Sequence, residues 1–193
     1  TNKSIFPGSL ELKRVSEGSD IQVVITHTAN ETKNVASKTS SSLVKYFKEQ
    51  GFVNQSKNLE KILFSKFSNS KRIIYLLSLT QKCRSSILEF IDIVDVEFSP
   101  DPNSKLPKDI KWMEKKIEDL KLNGNALHET LFFSNVDYYD HLHLYKVDAK
   151  FKFHTSGLSG SFVFSLGFPD YRHDKNTEAE MEVNIKSLSF DIH

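Results

Sequence analysis

The sequence predicts an α+β protein with an N-terminal β-hairpin, a central helical segment and a C-terminal antiparallel β-meander. Three observations predict it. Apolar and polar residues alternate near both ends of the chain, over 10–25 and again over 145–168, the period of half-buried strands. Between them, apolar residues recur at spacings of three and four, the period of a helix with one buried face. Helix patterns gather in the middle and strand patterns at the ends, which favours α+β over βαβ alternation. At 193 residues, 38% hydrophobic and 26% charged, the chain reads as a single soluble α+β domain over 1–193, with a possible subdivision near 99–106. No apolar run approaches the ~18–20 residues that a bilayer span requires.

The elements follow in order. Leu10 and Leu12 alternate with polar residues, Ser16-Glu17-Gly18-Ser19 reads as a turn, and Ile21, Val23 and Ile25 alternate again, a hairpin pattern. Over 31–50, Val35, Ala36, Thr39, Leu43, Tyr46 and Phe47 share one side of a helical wheel and Lys38, Lys45 and Lys48 the other. Gly51 stands where a C′ glycine belongs. A shorter helix is expected over 57–67, with Leu59, Leu63, Phe64 and Phe67 inward. The apolar run from Arg72 to Thr80 suits a buried strand or a buried helix; its length and the preceding Ser-Asn-Ser favour a strand. Residues 81–90 look helical. Ile91 to Phe98 alternates apolar with acidic residues, which predicts a strand with a solvated acidic face.

The loop Ser99-Pro100-Asp101-Pro102-Asn103-Ser104 is followed by Pro107, a suitable first helical residue. Ile110, Met113, Ile117 and Leu120 then recur at helical spacing before Gly124, predicting a helix over 107–122. From Tyr145 to Phe153 the odd positions are apolar, and Leu158, Phe162, Phe164, Leu166 and Phe168 form the next apolar row. Residues 169–176 read as a polar loop. Met181, Val183 and Ile185 begin a last strand whose apolar parity flips to Leu188, Phe190 and Ile192. Such a flip requires a β-bulge or two strands.

Thr1 at the start, and a strand-like alternation that persists to His193, read as a domain cut from a longer protein. One cysteine, Cys83, permits no internal disulfide and points to an intracellular compartment, cytoplasm or nucleus. The sequons at Asn2, Asn30 and Asn54 are no more than chance supplies.

Charge placement is the most distinctive feature. The 54 residues from Lys33 to Ser86 contain eleven Lys or Arg and two acids, a net +9 in a chain of net +1. The functional reading is a basic helical face, carried by Lys38, Lys45, Lys48, Lys57, Lys61, Lys71 and Arg72, for an acidic protein partner. Nucleic acid or anionic membrane is the alternative partner, weakened by the preference for lysine over arginine. The competing and weightier reading pairs these lysines within the domain or uses them to solvate a helix.

The remaining candidates are weaker. His141 and His143, two apart on a strand, have the spacing of a metal-ligand pair, but a third ligand is not specified and both continue the parity of Tyr145 and Val147. Asp92, Asp95, Glu97 and Asp101 could serve acid–base chemistry, though strand alternation explains them. Cys83 between Lys82 and Arg84 would have a lowered thiol pKa if exposed. Phosphate-loop, dinucleotide, nucleophile-elbow and zincin motifs are absent. These observations predict a non-catalytic interaction module or complex subunit, not an enzyme, with no cofactor. A second alternative is an apolar-ligand carrier whose sheet residues Phe151, Phe153, Phe162, Phe164 and Phe168 close over a ligand.

Overall fold

The computed structural model describes residues 4–15, 20–81, 87–114 and 116–191. It is a mixed α+β structure and divides into two compact units, Thr1–Glu60 and Lys61–His193. Among the described residues no helix is long and apolar enough to cross a membrane. The segment 16–19, residues 82–86 with Lys82, Cys83 and Arg84, and Ile192 lie outside the described residues.

In the first unit, β1 (Gly8–Arg14) pairs antiparallel with β2 (Ile21–His27), from Gly8 opposite His27 to Arg14 opposite Ile21. Helix α1 (Asn30–Glu49) packs on this hairpin. Thr28 and Thr32 tie its start to the carbonyls of Pro7 and Phe6. Gly51, at φ 73°, ends it as expected. The N–H of Gly51 bonds Lys48 and that of Phe52 bonds Phe47, which is a Schellman motif, and the Phe47–Phe52 ring contact at 6.2 Å seals it.

The inward face of α1 is turned from the expected one. Ala36 and Ser40 are buried and Leu43, Val44 and Phe47 are partly so, whereas Val35, Thr39 and Tyr46 are exposed. A two-stranded ribbon offers little area, and the small Ala36 and Ser40 allow the helix to approach it closely.

In the second unit five antiparallel strands lie in the order β4-β3-β5-β6-β7: β3 (Leu88–Pro100), β4 (Leu120–Asn123), β5 (Leu142–Thr155), β6 (Leu158–Gly167) and β7 (Glu182–Phe190). Helices α2 (Asn69–Gln81), α3 (Leu131–Ser134) and α4 (Pro169–Asp174) and several 3-10 turns complete the unit. The main core joins Ile73, Leu76 and Leu77 of α2 to Val96, Phe98, Leu144, Val147 and Leu166 of the sheet.

Several expectations are corrected here. The run 72–80 is helix α2, not a strand: Ile73, Leu76, Leu77 and Thr80 are buried at helical spacing while Ile74 and Leu79 reach solvent. Residues 88–90, expected to be helical, open β3. The expected helix over 57–67 is only a 3-10 turn at Phe64–Lys66, with Leu59 exposed. The expected helix over 107–122 is a 3-10 turn, Lys108–Met113, followed by β4. Ile110 and Met113 do point inward, so the spacing recorded burial correctly but not backbone conformation. The polar loop at 169–176 contains the short α4, with Pro169 in its first turn.

Register shifts explain the parity changes. In β7, Ile185 faces Phe164 and Ser187 faces Val163, leaving Lys186 as the extra residue of a bulge. The flip seen in the sequence is therefore one bulged strand. A second bulge in β5 leaves Tyr145 unmatched between Leu144 opposite Phe98 and Lys146 opposite Glu97. His143 thus lies on the side of β5 opposite to Leu142 and Leu144, not in the row of Val147.

The acidic row of β3 is not solvated. Asp95 and Glu97 retain 1% and 2% exposure and Asp148 of β5 none. The ammonium groups of Lys121, Lys146 and Lys186, from β4, β5 and β7, meet these carboxylates at 2.9, 2.9 and 2.6 Å while the lysine side chains stay partly exposed.

Candidate functional site

The seven basic residues assigned to one face separate into distinct environments. Lys38 and Lys45 are exposed on α1, with Lys45 3.9 Å from Glu49. Lys48, partly buried on α1, and Lys71, exposed on α2, pair with no carboxylate among the described residues. Lys57 is 2.8 Å from Asp20, and Lys61 pairs with Glu180. Both are ion-paired within their own units.

Arg72 is the exception: it is 3% exposed and does not belong to a surface face. Its guanidinium stacks 3.3 Å from the centroid of Phe64 and donates to the carbonyls of Phe64 and Phe67 and to the Asn69 side chain. Burial lowers it to about 10. The signal available in the sequence was its position at the head of an apolar run, which charge counting ignores.

The charged side of the sheet forms one lattice. Glu97 accepts from Lys146 at 2.9 Å and Arg172 at 2.9 Å; Asp148 accepts from Lys186 at 2.6 Å; Asp95 lies 2.9 Å from Lys121. Burial opposes ionisation of Asp95, but Lys121, Lys146 and Lys186 outweigh it and hold its carboxyl below the usual range. None of these cations comes from the basic segment 33–86. A cleft of about 260 Å³ opens beside the lattice, between Glu97, Lys146, Phe168 and Arg172. Four cations thus meet three carboxylates, while Asp95 Oδ1 and Asp148 Oδ1 stay buried without a hydrogen-bond partner. Asp92 instead receives the N–H of Ala126, at 3.0 and 2.8 Å to its two oxygens, and so braces a left-handed residue at φ 52°.

The two histidines diverge. His141 Nδ1 meets the Ser104 hydroxyl at 2.5 Å. His143 Nδ1 meets Tyr171 Oη at 2.5 Å, and its Nε2 lies 3.2 Å from Asp101. Among the described residues no three His, Cys, Asp or Glu side chains converge so as to hold a metal. Burial lowers the His143 pKa despite Asp101, and burial raises that of Tyr171. With both neutral, one arrangement satisfies every group: Tyr171 donates to Nδ1, and Nε2–H donates to Asp101. Asp101 also accepts from Asn69 at 2.7 Å and from the Asn103 N–H at 2.8 Å, and these bonds, against its own burial, keep it ionised.

This trio borders a second cleft of about 470 Å³, whose walls include Leu106, Met113, Glu114, Ile117 and Glu118. Sequence reading missed Tyr171, which stands in a polar stretch without periodic signal. Of the five phenylalanines expected in the sheet, Phe168 falls just beyond β6, at the start of α4, and of the five it alone lines either cleft. Phe151 and Phe162 stack at 5.5 Å within a small cluster with Ala149.

β7 ends the sheet, and its outward side bears the apolar row of β6 to the rim. Ile185 lies opposite Phe164 and Leu188 opposite Phe162. Val183, Ile185, Leu188 and Phe190 are 57%, 63%, 52% and 53% exposed.

Comparison with known proteins finds no matching family model, no matching curated protein and no matching solved structure.

Proposed function

We propose that the chain is a non-catalytic interaction module that receives an extended segment of a partner protein along β7. The observation that carries this reading is the edge itself: a nine-residue strand at the end of the sheet with four large apolar side chains more than half exposed. An edge strand offers a row of backbone donors and acceptors, and natural proteins commonly blunt such edges with charge or proline. β7 contains no proline and only Glu182 and Lys186 as charged residues. A partner strand would gain main-chain hydrogen bonds, with side-chain selection by the Ile185–Leu188–Phe190 row. The single cysteine suits an intracellular setting.

A second docking surface is favoured by α1. Exposed Val35 and Tyr46 lie beside Lys38 and Lys45, a mixed apolar and basic stripe that complements an acidic amphipathic partner. Nucleic acid and anionic lipid are the other occupants of that stripe. They are distinguished by binding that falls steeply with salt and persists with a protein-free probe.

The test places a photo-cross-linking amino acid at Phe190 in one preparation and at Lys38 in another, in the native cell. The expected result is a discrete protein adduct from Phe190 that disappears when Ile185 and Leu188 are changed to Asp. Adducts from Lys38 alone would transfer the function to α1. Absence of adducts from both positions would overturn the module reading.

A further inference from the structure

We propose that the cleft between the 3-10 turn Lys108–Met113 and the end of β3 binds a small organic cation: an ammonium group attached to a compact apolar body. The site lies apart from β7 and does not depend on the partner-docking reading. Its volume, about 470 Å³, is in the range of small-molecule sites, which are typically apolar with a few placed polar groups. Leu106 and Met113, both buried, and half-buried Ile117 provide the apolar wall.

A donor and acceptor census sets the ligand's charge. The cation on the wall, Lys175, is already satisfied: its Nζ is 2.6 Å from Asp119 and faces the rings of Tyr145 and Tyr171 at 5.7 and 5.6 Å. His143 spends both ring nitrogens on Tyr171 and Asp101. Glu114 and Glu118, by contrast, line the mouth and pair with no cation among the described residues. The charge left without a partner on this lining is therefore negative, which suits a positively charged donor. Lys175 supplies independent support, because this wall already holds an alkylammonium between a carboxylate and two aromatic faces, the arrangement that recognises organic cations.

The chain contains only two methionines, Met113 and Met181, and only Met113 lines this cleft. Methyl-labelled methionine therefore gives one reporting and one reference signal. Phenethylamine, cationic at neutral pH, is titrated against the labelled protein, with 3-phenylpropionate as an anion of similar shape. The expected result is a saturable shift of the Met113 methyl with the amine, none with the carboxylate and little change at Met181. Glu114→Gln together with Glu118→Gln, both exposed, should keep the spectrum of the folded protein and weaken the amine about fivefold, the scale of two partly screened charge contacts. No saturable Met113 shift up to about 20 mM amine, an equal response to both probes, or unchanged affinity in the double variant would each overturn the proposal.

Discussion

Replacing Lys186 by methionine should destabilise the second unit although the residue sits on an exposed strand. Lys186 is the extra residue of the β7 bulge, and that insertion lets it reach back over the sheet to Asp148 at 2.6 Å and Asp95 at 3.4 Å. Asp148 has no exposed surface and one of its oxygens has no hydrogen-bond partner. Without Lys186 its nearest remaining cation is Lys146 at 3.6 Å. A hydrogen bond to a charged group is worth about 1.5–3 kcal/mol, and a fully broken buried pair about 3–5 kcal/mol. Lys186 is itself about half exposed and Lys146 remains, so the lower range applies, about 2 kcal/mol. That corresponds to a fall of about 4–8 °C in Tm for a domain of this size.

The assay is thermal unfolding followed by circular dichroism, with Lys152→Met as the control. Lys152 is exposed on β5, separated from β7 by β6, and its loss should stay within about 0.5 kcal/mol. Adding Asp148→Asn to Lys186→Met removes the stranded charge and should recover part of the loss, a coupling of about 1 kcal/mol. If Lys186→Met unfolds at the same temperature as Lys152→Met, the lysine cover is solvent decoration and the buried-lattice argument fails.

Arg72→Lys keeps the charge but loses the planar stack on Phe64 and the paired carbonyl bonds; urea unfolding should show a loss of about 2–3 kcal/mol. His143 is held neutral in the folded protein, below its ordinary value of 6.5, so the unfolded chain protonates first as pH falls. Stability should be intact above pH 6.5 and decline below it, by at most about 1.4 kcal/mol per pH unit, and His143→Asn should flatten urea midpoints measured from pH 8 to 5. Gly167→Ala would place its Cβ 2.2 Å from the Tyr145 carbonyl oxygen, an overpacking worth about 3 kcal/mol in the same urea series. Gly51→Ala meets open space at φ 73° and should cost only about 1–2 kcal/mol, from left-handed strain alone.

The sequence by itself determined the class, the hairpin, α1 with its Gly51 terminus, the long strands β5 and β6, and the interruption in β7, because each of these repeats a period or carries a local stop signal. It also identified Ile110 and Met113 as inward, since burial selects apolar residues whatever the backbone does. Conformation at 72–80 and 107–122 belonged to the tertiary structure. A continuous apolar run fits a helix as well as a strand, and two turns of helical spacing also fit a chain draped over a core.

The site residues were less legible for the same reason. Counting charge along the chain grouped Arg72 with solvent-facing lysines, whereas packing against Phe64 buried it. It left Asp95 and Glu97 as a wet row, whereas β4, β5 and β7 brought Lys121, Lys146 and Lys186 from distant positions to cover them. His143 changed sides because one extra residue at Tyr145 reversed the strand's parity, and it met Tyr171 only because α4 folds back beside β5. Periodicity records which residues turn away from water; the partners of those that do not are set by strand register and by contacts far apart in sequence, which no local pattern encodes.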